Sequence, residues 1–387
     1  MTQALGRESI PRQPLSAVLT CPFMNGSHPD TTPPGRIPGD LLSDLAADPA
    51  WFLRDVDPIR GQAIFSPMDE ASYRASIFLD NRIKRAGPRD LAVDLDGLLR
   101  LAQDLDLPSR RIHYIFHIGH CGSTLMSTVL GGLDGFLALR EPPMLMGLSR
   151  SMRHLEEPGF PISRERWDQL FELALALLGR TWRPTQTALI KPTSHAGNLI
   201  PLLMNSTGWE RGLLLHVGLE TYLTTMLRSE VRRETMLFAK DFRLRDFVTL
   251  MPDLPDSVES YRPGQLAAMS WLLHAREFAT AMDADALRER TLGLDFDCFL
   301  ADPQSSLHQV CEFFSQTADD TTLQRLLDMH GGRSAKDPGR SYDYARRQAE
   351  LSSARQAYAD EINAGLRWAE QMETAGGPFS GLRERLG

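Results

Sequence analysis

At 387 residues the chain is long enough for one large α/β domain with appended helices, or for two or three smaller domains. Its 42% apolar and 24% charged residues exclude collagen-like, coiled-coil and wholly disordered architectures. A net charge of −8 disfavours non-specific binding of nucleic acid, though not a local basic pocket for one small anion.

The first 50 residues hold eight prolines, including Pro33-Pro34, with Gly26, Gly35 and Gly39 among them. Such a segment cannot sustain helical or sheet hydrogen bonding, so an extended arm is expected. The one apolar patch here, Leu15 to Leu19, is too short and lacks the basic start of a secretory signal. No apolar run approaches the ~18 residues needed to span a bilayer. Cys21, Cys121, Cys298 and Cys311 are scattered without metal or disulfide spacing. A cytoplasmic protein with no membrane partner is the resulting expectation. Leu41 to Asp106 read as short helices and loops.

From Arg111 the pattern changes. His113-Tyr-Ile-Phe-His-Ile118 is aromatic and β-branched and runs into Gly119, which predicts a buried strand entering a turn. Ser123 to Leu130 then places Leu125, Val129 and Leu130 near one helical face. Further strands are predicted at Phe136–Leu139, Ala188–Lys191, Gly212–Val217 and Thr291–Leu294. Helical patterns follow at Arg164–Leu178, Leu219–Glu230, Gln265–Met282 and Pro303–Phe314. A last helix is expected from Ser353 to Glu373, with Tyr358, Ile362, Leu366 and Met372 at helical spacing. This alternation predicts an α/β fold with a central, mostly parallel sheet covered on both faces. The expected division is an irregular extension over 1–105, the α/β domain over 106–350, and a C-terminal helix and tail over 351–387.

Gly119-His120-Cys121-Gly122-Ser123-Thr124 carries the functional reading. N–H groups at a helix start lack intrahelical partners and carry positive partial charge. Two glycines let the chain curl those donors around an anion, and Ser123 and Thr124 add hydroxyls. The plainer alternative is an ordinary strand–turn–helix connection with Ser123 as N-cap. The nucleotide triphosphatase signature is absent: the glycines are three positions apart and no lysine precedes Ser123.

The stretch Ile118 to Leu125 resembles the 5′-phosphosulfate-binding loop of sulfotransferases, whose bacterial form reads roughly G-x-P-R-S-G-T-T-L. Later segments resemble that family in the same order. Arg140-Glu-Pro-Pro143 is similar to its acidic turn after the second strand. Leu189-Ile-Lys-Pro-Thr-Ser194 is similar to its lysine-proline segment, and Leu214 to Arg228 to the strand and helix holding the donor's 3′-phosphate. Leu292 to Pro303 is similar to its late strand and D-P helix start. The resemblance covers about 111–347. It implies a P-loop-type three-layer fold and transfer of a sulfuryl group from 3′-phosphoadenosine 5′-phosphosulfate (PAPS) to a hydroxyl or amine of a small-molecule or other acceptor. No metal is obligatory in that chemistry.

The resemblance makes Glu141 the expected base and Lys191 the cation on the leaving oxygen, with His120 where the family has Arg or Lys. Surface pairing of Glu141 with Arg140, and a snorkelling edge lysine at Lys191, are the structural alternatives. Gly119, Cys121, Gly122, Ser123 and Thr124 would line the donor loop, Cys121 as a small residue rather than a nucleophile. Where the family pairs an arginine with a serine eight residues on, this chain has Val217 and Thr225. Arg228, one helical turn beyond Thr225, is the candidate substitute, with Arg232 and Arg233 behind it. Lys336, in the Gly/Pro loop Ser334–Tyr342, would close over the donor. Acceptor contacts are expected from 1–105, 144–185 and 240–262. Two alternatives stay open: a nucleotide-binding protein of the same fold without catalysis, and an ATP-dependent phosphoryl transferase.

Overall fold

The computed structural model describes residues 44–386, apart from 46–47, 59, 105–110, 229, 231–241, 332, 335–336 and 342–343. The proline-rich arm over 1–43, Arg232, Arg233 and Lys336 therefore lie outside the described residues.

The central sheet has five strands: β4 (Ile112–His117), β5 (Phe136–Arg140), β6 (Thr187–Lys191), β7 (Gly212–His216) and β8 (Thr291–Asp295). They lie in the order β5-β6-β4-β7-β8, and every neighbouring pair is parallel. β5, β6 and β7 are buried at every residue, which is why they read as near-continuous apolar runs rather than as alternating patterns. Helices α3 (Ser123–Leu130), α4 (Pro143–Met152), α5 (Arg164–Leu178), α6 (Leu219–Leu227) and α7 (Pro263–Asp283) connect and cover these strands. α7 places Trp271, Leu272 and Phe278 in the core, and Trp271 Nε1 donates to the Val217 carbonyl at 2.9 Å, beyond the end of β7. The α/β class with a P-loop-type parallel sheet is thus the architecture of the molecule.

Two sequence expectations are corrected. The segment before Arg111 is not only short helices and loops. It contains a three-stranded antiparallel sheet of β1 (Trp51–Asp57), β2 (Gln62–Pro67) and β3 (Leu91–Asp94), alongside α1 (Glu70–Ala75) and α2 (Leu95–Asp104). Its strands are short, and charged residues interrupt the apolar alternation: Arg54 is buried in an ion pair with Asp90, to which Ser66 also donates at 2.7 Å. Arg180, in the connection between α5 and β6, donates to the carbonyls of Leu45, Asp48 and Trp51 at the start of this sheet.

The C-terminal helix is the second correction. It begins earlier and is broken in two: α11 (Tyr344–Ala357) and α12 (Ala359–Thr374). Tyr358 separates them with φ −118° and ψ 22°, outside helical geometry. Before them run α8 (Phe296–Ala301), α9 (Pro303–Phe313) and α10 (Asp320–His330), then two short paired strands, Arg333–Ser334 and Asp337–Ser341.

Candidate active site

The loop Gly119–Thr124 leaves the carboxyl end of β4, the central strand, and enters α3, as the sequence predicts. Three of its residues have left-handed backbone: Gly119 (φ 86°), His120 (φ 54°) and Gly122 (φ 74°). The helix cap is Gly122, not Ser123, so Ser123 occupies the first helical position. Gly122 is required twice over. A Cβ there would sit 1.9 Å from the Phe296 ring, and its φ is one that L side chains rarely adopt. The first N–H groups of α3 have no partner within the helix. Ser123 and Thr124 are buried in the first turn of α3, and neither hydroxyl has a hydrogen-bond partner among the described residues. Those unpaired donors on a left-handed turn form a cradle that suits an anionic oxygen.

Cys121 turns the other way. Its thiol is fully buried and donates to the Leu215 carbonyl at 3.2 Å, and burial pushes its pKa up to about 12. A thiol held protonated in this way is no nucleophile, and only its backbone faces the cradle.

Lys191 ends β6 with its side chain fully buried, so it does not snorkel. Its ammonium makes an ion pair with Glu141, the residue after β5, whose side chain is 24% exposed. Glu141 has φ 55°, a strained setting for a non-glycine residue, and its N–H donates to the Lys191 carbonyl at 2.6 Å. Arg140 is not its partner. That guanidinium points away, donating to the Ser76 carbonyl at 2.7 Å and more weakly to that of Tyr73.

A residue that sequence reasoning passed over, His117, joins the pair to the loop. Its Nδ1 lies 3.1 Å from the Gly119 nitrogen and its Nε2 lies 3.0 Å from the Pro192 carbonyl. The Gly119 N–H can only donate, so Nδ1 accepts and Nε2 carries the proton toward Pro192. Lys191 Nζ approaches Nε2 at 3.4 Å and therefore packs beside the imidazole rather than bonding to its lone pair. The Phe78 ring lies 5.6 Å from the same ammonium. The signal for His117 was its place at the end of a predicted strand, where side chains meet the ligand crevice.

The far side of the loop is built differently from the family pattern. Val217 is buried, its side chain carries no group that could hold an anion, and its carbonyl accepts from Trp271 Nε1. Thr225 is buried within α6. Arg228 caps α6 and pairs with Glu350 on α11 at 2.9 Å, the structural role that a basic helix end most simply plays. Arg347, which the sequence reading did not single out, reaches the ring behind the loop. It is buried, pairs with Asp297 and lies 5.3 Å from the Phe296 ring that packs on Gly122. Burial and the neighbouring Arg228 charge lower its pKa to about 10.

The D-P helix start is present: Asp302 caps α9 by accepting from the Ser305 N–H at 3.2 Å, with Pro303 in the first turn. Among the described residues no group of three His, Cys, Asp or Glu side chains could hold a metal ion, and no helix is long and apolar enough to cross a membrane.

No family model and no curated protein matches the chain. Solved structures to which it is similar include the sulfotransferase domain from the curacin biosynthetic pathway, at 14% identity over 68% of this chain and 98% of that one, TM-score 0.37. A sulfotransferase from Mycobacterium tuberculosis H37Rv has 13% identity over 69% and 82%, TM-score 0.38. Retinol dehydratase in complex with retinol and PAP has 12% identity over 66% and 83%, TM-score 0.30. At these identities and scores the functional reading stands on the chain's own geometry. The chain carries, in this order, a glycine loop leading from the central strand of a parallel sheet, an acidic turn, a lysine-ended strand and a D-P helix start, the order in which the sequence resemblance expects them.

Proposed function

We propose that the protein transfers a sulfuryl group from PAPS to a hydroxyl or amine acceptor. The observation that carries this is the convergence of base, cation and cradle on one edge of the sheet. His117 touches Lys191 and receives the first N–H of the loop, while Lys191 holds Glu141. Gly119, Gly122, Ser123 and Thr124 supply backbone and hydroxyl donors to the 5′-phosphosulfate. The donor brings the group that moves, and the protein brings position and charge.

In this reading Glu141 and Lys191 restrain one another until ligands enter. A bound phosphate competes for the Lys191 ammonium, which then neutralises the oxygen left when the sulfur–oxygen bond breaks. The released Glu141 carboxylate takes the acceptor's proton as the new sulfur–oxygen bond forms, provided the acceptor lies within ~3 Å or one water. The left-handed backbone of Glu141 aims that carboxylate, and the His117 tautomer holds Pro192 and Gly119 in place around it. In this reading Thr225, Arg228 and Arg347 are the groups that would meet the donor's 3′-phosphate. His120, in the donor loop, would offer a hydrogen bond to the 5′-phosphosulfate in place of the family's Arg or Lys.

One observation favours a second reading. Arg228 is committed to Glu350, and Val217 cannot bind an anion, so the chain could hold a nucleotide without turning it over. Calorimetry with adenosine 3′,5′-bisphosphate, with ATP and magnesium, and a labelled-PAPS turnover assay tests both. Bisphosphate binding with turnover supports the transferase; bisphosphate binding without turnover across a broad acceptor panel supports the second reading. Tighter binding of magnesium ATP would overturn both.

A further inference from the structure

A cavity of about 1120 Å³ opens at the opposite end of α3 from the loop, about 12 Å away for an eight-residue helix. It is lined by the C-terminal end of α3, the turn before β5, and α10. Three arginines reach it: Arg74, Arg140 and Arg325, with His330 beside them.

Arg140 is the unusual one. It is 3% exposed, its Nε has no hydrogen-bond partner, and among the described residues it has no carboxylate partner. Its guanidinium reaches the cavity wall through the space left by Gly131, where a Cβ would stand 3.1 Å from Nη2. Burial lowers its pKa to about 10, the mark of a cation held without its counter-charge. The same pocket depresses His330, through burial first and then through Arg140 and Arg325. Arg325 makes no ion pair among the described residues. Of the two acids at the rim, Asp134 is almost fully exposed and 3.6 Å from Arg74, so it answers that arginine rather than Arg140 or Arg325, and Asp319 caps α10 by accepting from the Thr322 N–H at 2.7 Å. Beside Arg325 on α10, Leu326 is buried and Met329, one turn further along the same helix, is left 53% exposed.

We infer that this cavity is a second ligand site, separate from the donor loop, that binds an amphipathic oxyanion. A carboxylate or phosphate headgroup meets Arg140 and Arg325, and an alkyl body lies along Leu326 and Met329. The headgroup supplies the buried Arg140 with the counter-charge that the described chain withholds, and the apolar body covers a methionine otherwise left to water. The inference does not depend on the transferase reading, because none of these residues belongs to the loop or to the Glu141–Lys191 pair.

Calorimetric titration of the full-length protein with octanoate, octyl phosphate and octanol tests it. Both anions are expected to bind, with octanol at least tenfold weaker. Arg325 is exposed on α10, so Arg325→Glu should fold normally and weaken both anions tenfold or more. Met329→Asp should do the same from the apolar side. Adenosine 3′,5′-bisphosphate should not displace octanoate, and Ser123→Ala/Thr124→Ala should leave octanoate binding intact. Equal binding of octanol, unchanged affinity in Arg325→Glu, displacement by the bisphosphate, or no binding of either anion would each overturn the site.

Discussion

Glu141 and Lys191 are linked in both directions across neighbouring strands: the Glu141 N–H donates to the Lys191 carbonyl, and the Lys191 ammonium returns to the Glu141 carboxylate. The β5–β6 register, with Arg140 opposite Lys191, places Glu141 one residue past the last rung. Its left-handed φ turns the side chain back over the strand ends. A carboxylate and an ammonium are thereby held together by the sheet itself.

This arrangement predicts distinct outcomes for its two members. Glu141→Gln keeps an acceptor for Lys191 but removes the base, so turnover should fall by roughly 10²–10⁴. Bisphosphate affinity should hold or rise, because Lys191 no longer answers to a carboxylate. Lys191→Met should lose turnover and donor affinity together. Steady-state kinetics and calorimetry on both variants check this, and a fully active Glu141→Gln would remove the mechanism.

The cradle makes a binding prediction. Ser123→Ala with Thr124→Ala removes two unpaired hydroxyls, each worth roughly 1.5–3 kcal/mol against a charged oxygen. Bisphosphate affinity should fall accordingly, while the thermal midpoint barely moves, since neither hydroxyl bonds to another of the described residues. Unchanged affinity would show that the anion sits elsewhere.

Gly122→Ala should be destabilising through two separable terms. The left-handed backbone costs roughly 1–2 kcal/mol for a residue with a Cβ. The collision with Phe296 adds about 1–3 kcal/mol of overpacking. Phe296→Leu in the same chain should relieve the second term only. A double-mutant cycle in urea therefore shows a favourable coupling, whereas strictly additive effects would deny the contact.

The pH dependence of stability has a definite sign. Burial and the nearby Arg243 hold His195 and His274 well below the ordinary histidine pKa. Below about pH 6.5 the unfolded chain takes up protons that these two folded imidazoles refuse, so acidification favours unfolding. Stability should be constant above the unfolded pKa and fall from pH 6.5 toward pH 5, by up to roughly 1.4 kcal/mol per pH unit for each histidine. Urea denaturation of His195→Gln/His274→Gln should show a shallower fall than the parent protein over the same range.

Thiol reactivity separates the cysteines without any ligand. At pH 8 iodoacetamide should modify the exposed Cys298 readily and leave Cys121, whose thiol is buried, untouched in the folded protein. Peptide mapping before and after denaturation reads this directly.

Much of the architecture was legible because burial on both faces of a parallel sheet leaves an unmistakable trace: Leu189-Ile190 and Leu213-Leu214-Leu215 are apolar runs with no alternation. The glycine loop was legible for a related reason, since Gly119 and Gly122 mark the left-handed positions that ordinary residues avoid. The antiparallel sheet before Arg111 was not. Its strands bury Arg54 against Asp90 and Ser66, a pairing that joins residues 36 positions apart and so breaks the local pattern. The same holds at the site. Sequence nominated Glu141 and Lys191 separately, but only the strand register could join them, and only the fold could bring His117 between Lys191 and Gly119. It also took the fold to commit Arg228 to Glu350, to turn Arg140 away from Glu141, and to set Arg347 behind Phe296. Local sequence determines what a segment prefers to be, because backbone preference and apolar periodicity act over a few residues. Which charge meets which is decided by long-range packing, because an ion pair depends on where two distant segments come to rest.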